Sequence, residues 1–181
     1  MKQCILGLLC MFFLYQSQAQ TKTFKSAIEF NDYIIELQDT IGHGILSFIS
    51  VASAETSNKS ERASQSFVEL NKTKQVASFA IKAINDAKPF KYGEDFKVAA
   101  VSMFKFYLNT LEKEYKQLVE LLAKEEYTEQ VIADLTTIQE KITKEEAVID
   151  NVFQQAQQSF AKKHHIELEE SELQKEIDKS K

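Results

Sequence analysis

Residues that break helices are almost missing from this 181-residue chain, and their scarcity constrains the fold more than any motif does. The whole sequence has one proline, Pro89, and four glycines. Folds built from strands use proline and glycine at their many turns, so this composition argues against an all-β or α/β fold. The sequence therefore predicts an all-α protein with long helices and few connections.

The first twenty residues, MKQCILGLLCMFFLYQSQAQ, have the pattern of a secretory signal peptide. A lysine precedes an apolar run over residues 5–15, and the small residues Ser17 and Ala19 have the spacing that signal peptidase requires. We expect cleavage after Ala19, which removes residues 1–19 and exports the protein. The apolar run is shorter than the roughly 20 residues of a membrane-spanning helix. A retained anchor or a lipid-modified Cys10 is the alternative.

Both cysteines, Cys4 and Cys10, fall inside the expected signal peptide, so the mature chain has no thiol for a disulfide or a zinc site. Beyond residue 19 the chain has 21 basic and 27 acidic residues, and Arg62 is its only arginine. A net negative chain with interspersed lysine and glutamate is a poor partner for nucleic acid or an anionic membrane. We expect one domain over residues 20–163, held together by its hydrophobic core.

Apolar residues recur at helical spacing in four long segments. The predicted helices cover about 23–54, 60–86 and 94–123, and a fourth runs from 128 to past Phe160. Long helices joined by short connections place neighbours antiparallel. The sequence thus predicts an up-down-up-down four-helix bundle. A charged extension over residues 164–181 should follow it as a frayed helix or as disorder.

The stretch QDTIGHGILSF places Gly42 and Gly44 on either side of His43 within the first predicted helix. Helical phase puts Gly42 on the buried face, where a missing side chain would let a neighbouring helix approach. A glycine at this position costs about 1 kcal/mol of helix propensity relative to alanine. The same phase turns His43 and Gly44 toward solvent. Ile28 and Ile49 are expected on the buried face.

Two amides, Asn31 and Gln38, interrupt the buried face of the first helix. A buried amide that lacks hydrogen bonds costs about 1 to 3 kcal/mol, so both side chains need partners. They can bond across the bundle and fix the register of the helices, or they can line a polar ligand pocket. In the fourth helix, Glu145 and Glu146 flank the apolar stripe, and such glutamates are usually only its shoulders.

Three aromatic side chains are candidates for a surface interaction patch. Phe106 lies on the exposed side of the third predicted helix, and Phe90 and Tyr92 lie in the loop before it. An exposed group of aromatic side chains is typical of a protein-binding surface.

No motif in the sequence indicates catalysis or a cofactor. The chain contains no Glu-x-x-His pair, no haem-attachment motif, no glycine-rich phosphate loop and no nucleophile elbow. His164 and His165 are adjacent and would point about 100° apart on a helix. His165 and Glu169 have the i, i+4 spacing of a weak surface metal site. We predict no enzyme activity, no metal site and no cofactor.

Two segments resemble a family of uncharacterised exported bacterial proteins, the leptospiral-type "family surface protein" group that is common in flavobacteria-like bacteria. They are KPFKYGEDFKVAAVSMFKFYLNTLEKEYKQLVELL and EEAVIDNVFQQAQQSFAKKHHIEL, and the similarity extends to NDYII and Gln38 in the first helix. The resemblance implies a helical fold and a location in the periplasm or at the cell surface of a Gram-negative bacterium. It implies no activity, cofactor or catalytic residue.

These observations predict a non-enzymatic exported bundle that acts by contact with a protein partner in the envelope or at the surface, with no integral membrane segment after signal cleavage. The alternative is a small-molecule or metal binder that uses polar positions of the bundle core. A filled core around Asn31, Gln38 and Gly42 would favour the first hypothesis. A polar-lined void of roughly 300 Å³ or more beside them would favour the second.

Overall fold

A computed structural model describes residues 21–54 and 58–169, and the expected signal peptide lies outside them. The described residues form five α-helices in four antiparallel legs, with the third and fourth helices together making the third leg. The all-α four-helix bundle predicted from the sequence is confirmed. Among these helices, none is both long enough and apolar enough to cross a membrane. The helices are α1 (Ala27–Ala52), α2 (Lys59–Asp86), α3 (Glu94–Glu112), α4 (Glu114–Leu122) and α5 (Glu129–His164).

Side-chain caps fix where two of the legs begin. The Ser26 hydroxyl accepts a hydrogen bond from the Glu29 amide at 3.1 Å, so α1 begins at Ala27 and not near Thr23 as predicted. The Thr128 hydroxyl caps α5 in the same way by accepting from the Val131 amide at 3.3 Å, as the sequence around Thr128 had indicated. Both caps satisfy amides that have no partner within the helix.

The third leg is interrupted, whereas the sequence predicts one continuous helix. The break lies at Lys113, whose ψ of −75° departs from the helical value. Directly after the break, Glu114 turns inward and is only 6 % exposed. Its Oε1 lies 2.5 Å from the ammonium nitrogen of Lys141 on α5. Between the third and fourth legs there is thus an ion pair of a buried glutamate with a half-exposed lysine, which apolar periodicity does not reveal.

An aromatic cluster forms the core at one end of the bundle and joins three legs. Phe30 of α1 lies 6.0 Å from Phe96 of α3 and 5.4 Å from Phe160 of α5, measured between ring centroids. Phe96 also packs on Phe153 at 5.4 Å. Edge-to-face pairs of this kind stabilise a core by about 0.5–1.5 kcal/mol beyond the area they bury. This end of the bundle is therefore closely packed.

The glycine at the contact between α1 and α2 is Gly44, not Gly42. A Cβ atom at Gly44 would lie 2.8 Å from the Cγ2 of Thr73, and the Thr73 hydroxyl donates to the Gly44 carbonyl at 3.0 Å. The prediction that Gly44 faces solvent is wrong because α2 covers that edge of α1. Gly42 lies at the opposite edge, which faces α5 across a gap. The prediction of a packing role for Gly42 is wrong because no neighbouring helix packs closely against that edge.

The buried stripes are narrower than helical phase predicts. Ile28 is 56 % exposed, Ile49 is 44 % exposed and Val152 is 50 % exposed. The sequence predicts Ile28 and Ile49 on the buried face of the first helix, so that prediction is wrong for both. They lie at the edges of stripes that the neighbouring helices do not fully cover, and Ile49 borders the gap between α1 and α5.

Arg62 ties two legs together at the other end of the bundle. Its guanidinium donates to the Ala54 carbonyl after α1 and to the Leu122 carbonyl at the end of α4, each at 3.3 Å. It also donates to the Tyr127 hydroxyl at 2.6 Å. These carbonyls are orphaned where the helices end, so one planar side chain satisfies both ends.

Helix α5 ends in a turn that redirects the chain. His165 adopts the left-handed conformation with φ of 53°, and the Ile166 amide donates to the Ala161 carbonyl at 3.0 Å. This is the hydrogen bond of a Schellman motif, and Ile166 supplies the apolar contact with the core that accompanies it. Residues 166–169 are not helical, and the remainder of the predicted 164–181 extension lies beyond the described residues.

Candidate ligand-binding cleft

Helices α1 and α5 meet at one end of the bundle and diverge from there. The contact consists of the aromatic cluster and an amide pair, in which Gln157 Nε2 donates to Asn31 Oδ1 at 2.9 Å. Asn31 is 8 % exposed and its own amide donates to the Asp32 carboxylate at 3.1 Å. Asn31 therefore pairs across the helices, which is the register role that the sequence left open for it.

Gln38 lies two turns further along α1, where the helices have separated. A cleft of about 820 Å³ opens there between α1 and α5. Gln38 and Gly42 line one wall, so the cleft lies beside the polar positions that the sequence singled out. Its floor is formed by Tyr107 and Tyr115 of the third leg. The facing wall on α5 carries Glu146, Asp150, Gln154 and Gln157.

Glu146 is the central acidic group of this cleft. The Tyr107 hydroxyl donates to its carboxylate at 3.2 Å. Burial raises the pKa of Glu146, the hydrogen bond from Tyr107 lowers it, and the charge of Asp150 raises it, so that the balance is a raised pKa. Burial likewise raises the pKa of Asp150. The cleft thus desolvates two carboxylates whose negative charge no lysine or arginine on its described lining balances.

Burial also raises the pKa values of the two tyrosines that form the floor of the cleft. Burial and the nearby charge of Glu146 raise the pKa of Tyr115 to about 12. The pKa of Tyr107 is raised well above its usual value, chiefly by burial and then by Glu146. Both hydroxyls therefore stay protonated at neutral pH. Because the Tyr107 hydroxyl already donates to Glu146, the two tyrosines offer mainly their ring faces to whatever enters the cleft.

The turn after α5 brings the chain back to the polar end of the cleft. Leu168 and Glu169 lie on its lining, near Gln158 of α5. The left-handed conformation of His165 makes this return possible, because a continued helix would carry these residues away along the α5 axis. No signal in the sequence indicates this turn, since histidine and not glycine occupies the left-handed position.

A second cleft of about 790 Å³ continues the gap toward the other end of the bundle. Apolar residues of α1, α4 and α5 dominate its lining. It shares Ile49, Tyr115, Thr143 and Glu146 with the first cleft, so the two spaces adjoin. Its apolar lining includes Phe48, Leu118, Leu122, Ile132, Leu135 and Ile142.

The three aromatic residues proposed for an interaction patch do not lie together. Phe90 is half-buried against the ring of His164 at 5.4 Å, and Tyr92 lies 6.1 Å from the same ring. Phe106 instead lines a groove with residues of α5 such as Glu145. Glu145 and His164 are separated by about 28 Å along α5 at 1.5 Å per residue. The structure therefore brings Phe90 and Tyr92 together and leaves Phe106 apart.

The adjacent histidines have different surroundings. His164 Nε2 lies 2.7 Å from the Lys91 carbonyl, and its ring packs 4.6 Å from Phe160. His165 lies past the end of α5, so the helical i, i+4 spacing that would pair it with Glu169 does not exist. Within the described ranges, no three histidine, cysteine, aspartate or glutamate side chains lie close enough to hold a metal ion.

Sequence reasoning named Gln38 but missed the groups that face it. Glu146 was interpreted as the shoulder of a stripe, and no motif in the sequence marks Tyr107 or Tyr115 as part of a site. The one signal that could have found the cleft is the coincidence of polar interruptions, Gln38 on the first leg and Glu146 on the fourth. Recognising that they face each other requires the register between legs, which the amide pair sets.

No protein-family model, no curated protein and no solved structure matches the chain. The resemblance to the exported surface-protein family therefore stays a prediction.

Proposed function

We propose that the protein is an exported binding protein that holds a small organic cation in the cleft between α1 and α5, without catalysing a reaction. The observation that carries this proposal is the space of about 820 Å³ beside Gln38 and Gly42, whose mixed lining includes several acidic side chains. A space of this size is within the range of small-molecule sites, and its lining departs from that of a filled bundle core.

The electrostatics of the cleft favour a positively charged ligand. Burial raises the pKa of Glu146 and of Asp150, and no cationic side chain on the described lining compensates their charge. Removing a carboxylate from water without giving it a hydrogen-bond or ionic partner costs free energy. An ammonium group between them would gain charge-assisted hydrogen bonds, and the ring faces of Tyr107 and Tyr115 would add cation–π attraction.

The hypothesis of a protein partner has weaker support. It rested on a surface patch of Phe90, Tyr92 and Phe106, and Phe106 lies apart from the other two. Phe90 and Tyr92 also pack around His164, where they hold the loop before α3 against the end of α5.

The test is a titration of the mature protein with butylamine, butanol and butyrate. The chain has no tryptophan, so its intrinsic fluorescence comes from tyrosine, and two of the tyrosines form the floor of the cleft. Butylamine should change this fluorescence and raise the thermal unfolding midpoint by mass action. Butyrate should do neither, because its charge has the same sign as the cleft.

Two neighbouring glutamates provide a matched pair of variants. Glu146→Gln removes the charge inside the cleft, whereas Glu145→Gln removes the same charge from an exposed position outside it. We expect the first variant to lose the response to butylamine and the second to keep it. Equal loss in both variants, or no response of the parent protein to any amine, would refute the proposal.

The proposed exported location has its own test. If residues 1–19 form a signal peptide, the protein recovered from its native cell should begin at Gln20, and intact mass spectrometry measures this directly. A mass that includes residues 1–19 would contradict the proposed export.

A further inference from the structure

The two adjoining clefts between α1 and α5 differ in charge, because the acidic side chains are concentrated in the first one. The polar part is lined by Asp39, Glu146, Asp150 and Glu169, together with several glutamine side chains. The second part is lined mostly by aliphatic and aromatic side chains, and Glu146 is the one charged residue on its described lining. Glu146 thus lies at the junction, with polar groups on one side of it and apolar groups on the other.

The apolar part is too long for a small ammonium ion alone. From Glu146 to Ile132 the α5 axis advances about 21 Å at 1.5 Å per residue. Along this length, large apolar side chains remain exposed, including Ile49 at 44 % and Ile132 at 54 %. Covering them with hydrocarbon would be favourable in proportion to the area removed from water.

We propose that the joined cleft binds a single-chain amphiphile, with a primary ammonium head between Glu146 and Asp150 and a hydrocarbon tail along the apolar part toward Leu135 and Ile132. This inference rests on the proposed function, which it deepens by naming the ligand class. The head is a cation because the described lining of the polar part carries acidic groups and no basic ones. The tail is hydrocarbon because apolar side chains predominate on the second lining, with Ser53, Thr136, Gln139 and Thr143 as polar exceptions.

A chain-length series tests the inference. Butylamine and decylamine have the same head, and decanol and decanoate have the tail of decylamine with a neutral or an anionic head. Isothermal titration of the mature protein with each compound, below the concentration at which it self-associates, measures their affinities. Each buried methylene contributes about 0.8 kcal/mol, so decylamine should bind at least about tenfold more tightly than butylamine. Decanol should bind less tightly than decylamine, and decanoate most weakly of the long-chain compounds.

Matched substitutions on α5 locate the two parts of the ligand. Glu146→Gln should weaken decylamine binding about tenfold or more, since it removes a charged hydrogen-bond partner, whereas Glu145→Gln should not change it. Leu135→Gln should reduce the advantage of decylamine over butylamine. Ile138→Gln, a similarly half-buried change that faces a different groove, should leave it intact. Circular dichroism of each variant verifies that the helices remain.

The outcomes separate the two proposals. If butylamine and decylamine bind equally well and both depend on Glu146, the cation site stands and the amphiphile inference is overturned. If decanol or decanoate binds as tightly as decylamine, the assignment of a cationic head is overturned. If no amine binds, both proposals fail together.

Discussion

The contact between Gly44 and Thr73 allows a stability change to be predicted in sign and in size. Gly44→Ala adds a Cβ atom 2.8 Å from the Thr73 Cγ2 and 3.0 Å from its hydroxyl oxygen, closer than such atoms normally approach. Thr73 is only 1 % exposed and has little room to move. Overpacking a core costs about 1–3 kcal/mol, and exchanging glycine for alanine within a helix returns about 1 kcal/mol. We therefore expect a net loss of about 1 kcal/mol in the free energy of unfolding.

Urea denaturation followed by far-ultraviolet circular dichroism measures this change, and Gly42→Ala is its control. Gly42 also lies within α1 but faces the cleft, so alanine there should stabilise the protein by up to about 1 kcal/mol. Thr73→Ser removes the methyl group that the new Cβ would meet. In the Gly44→Ala background this second change should recover stability, with a coupling energy of about 1 kcal/mol. If Gly44→Ala stabilises the protein as much as Gly42→Ala does, the close contact between α1 and α2 is refuted.

Three further predictions concern other parts of the fold. Arg62→Met should lower the free energy of unfolding by about 1 kcal/mol, since the Ala54 carbonyl loses its side-chain donor and the Leu122 carbonyl keeps the Tyr127 hydroxyl, and Arg62→Lys should not fully rescue it in the same urea assay. His165→Gly should raise stability by about 1 kcal/mol because glycine adopts the left-handed conformation freely; a loss would contradict the Schellman turn. Glu146→Gln should stabilise the ligand-free protein at neutral pH, and the difference should shrink in acid. The raised native pKa of Glu146 means that the native state holds its proton above pH 4.5, so the stability of the parent falls as pH rises through that window. Urea titrations at about pH 7 and about pH 4 compare the two proteins, and a difference independent of pH would contradict this cause.

The sequence predicted the fold class well because the scarcity of helix-breaking residues, together with helical apolar spacing, determines it. Long segments without proline or glycine, with apolar residues at helical spacing, can bury their stripes only against one another. The single firm break, around Pro89 and Gly93, was placed correctly before α3. The break at Lys113 was missed because no helix-breaking residue marks it, and the pairing of Glu114 with Lys141 directly after it is a tertiary contact.

The sequence indicated only one wall of the candidate site, the one that carries Gln38. Gln38 was recognisable because an amide on an apolar stripe needs a partner, and Asn31 was recognisable for the same reason. Periodicity treats each helix as if neighbours covered its whole apolar face, so it could not show that α1 and α5 diverge. For the same reason it assigned the packing role to Gly42 instead of Gly44. Which edge of a helix is covered depends on the angles between helices, and those are set by tertiary contacts such as the Phe30 cluster.

Intermolecular nuclear Overhauser contacts between decylamine and the mature protein test the central claim most directly. If the cleft between α1 and α5 is the binding site, the methylene protons next to the nitrogen should contact the rings of Tyr107 and Tyr115. The methyl group at the far end of the chain should contact the side chain of Leu135. Contacts to surface aromatic residues such as Phe79 or Tyr92 instead, or none at saturating amine, would contradict the account.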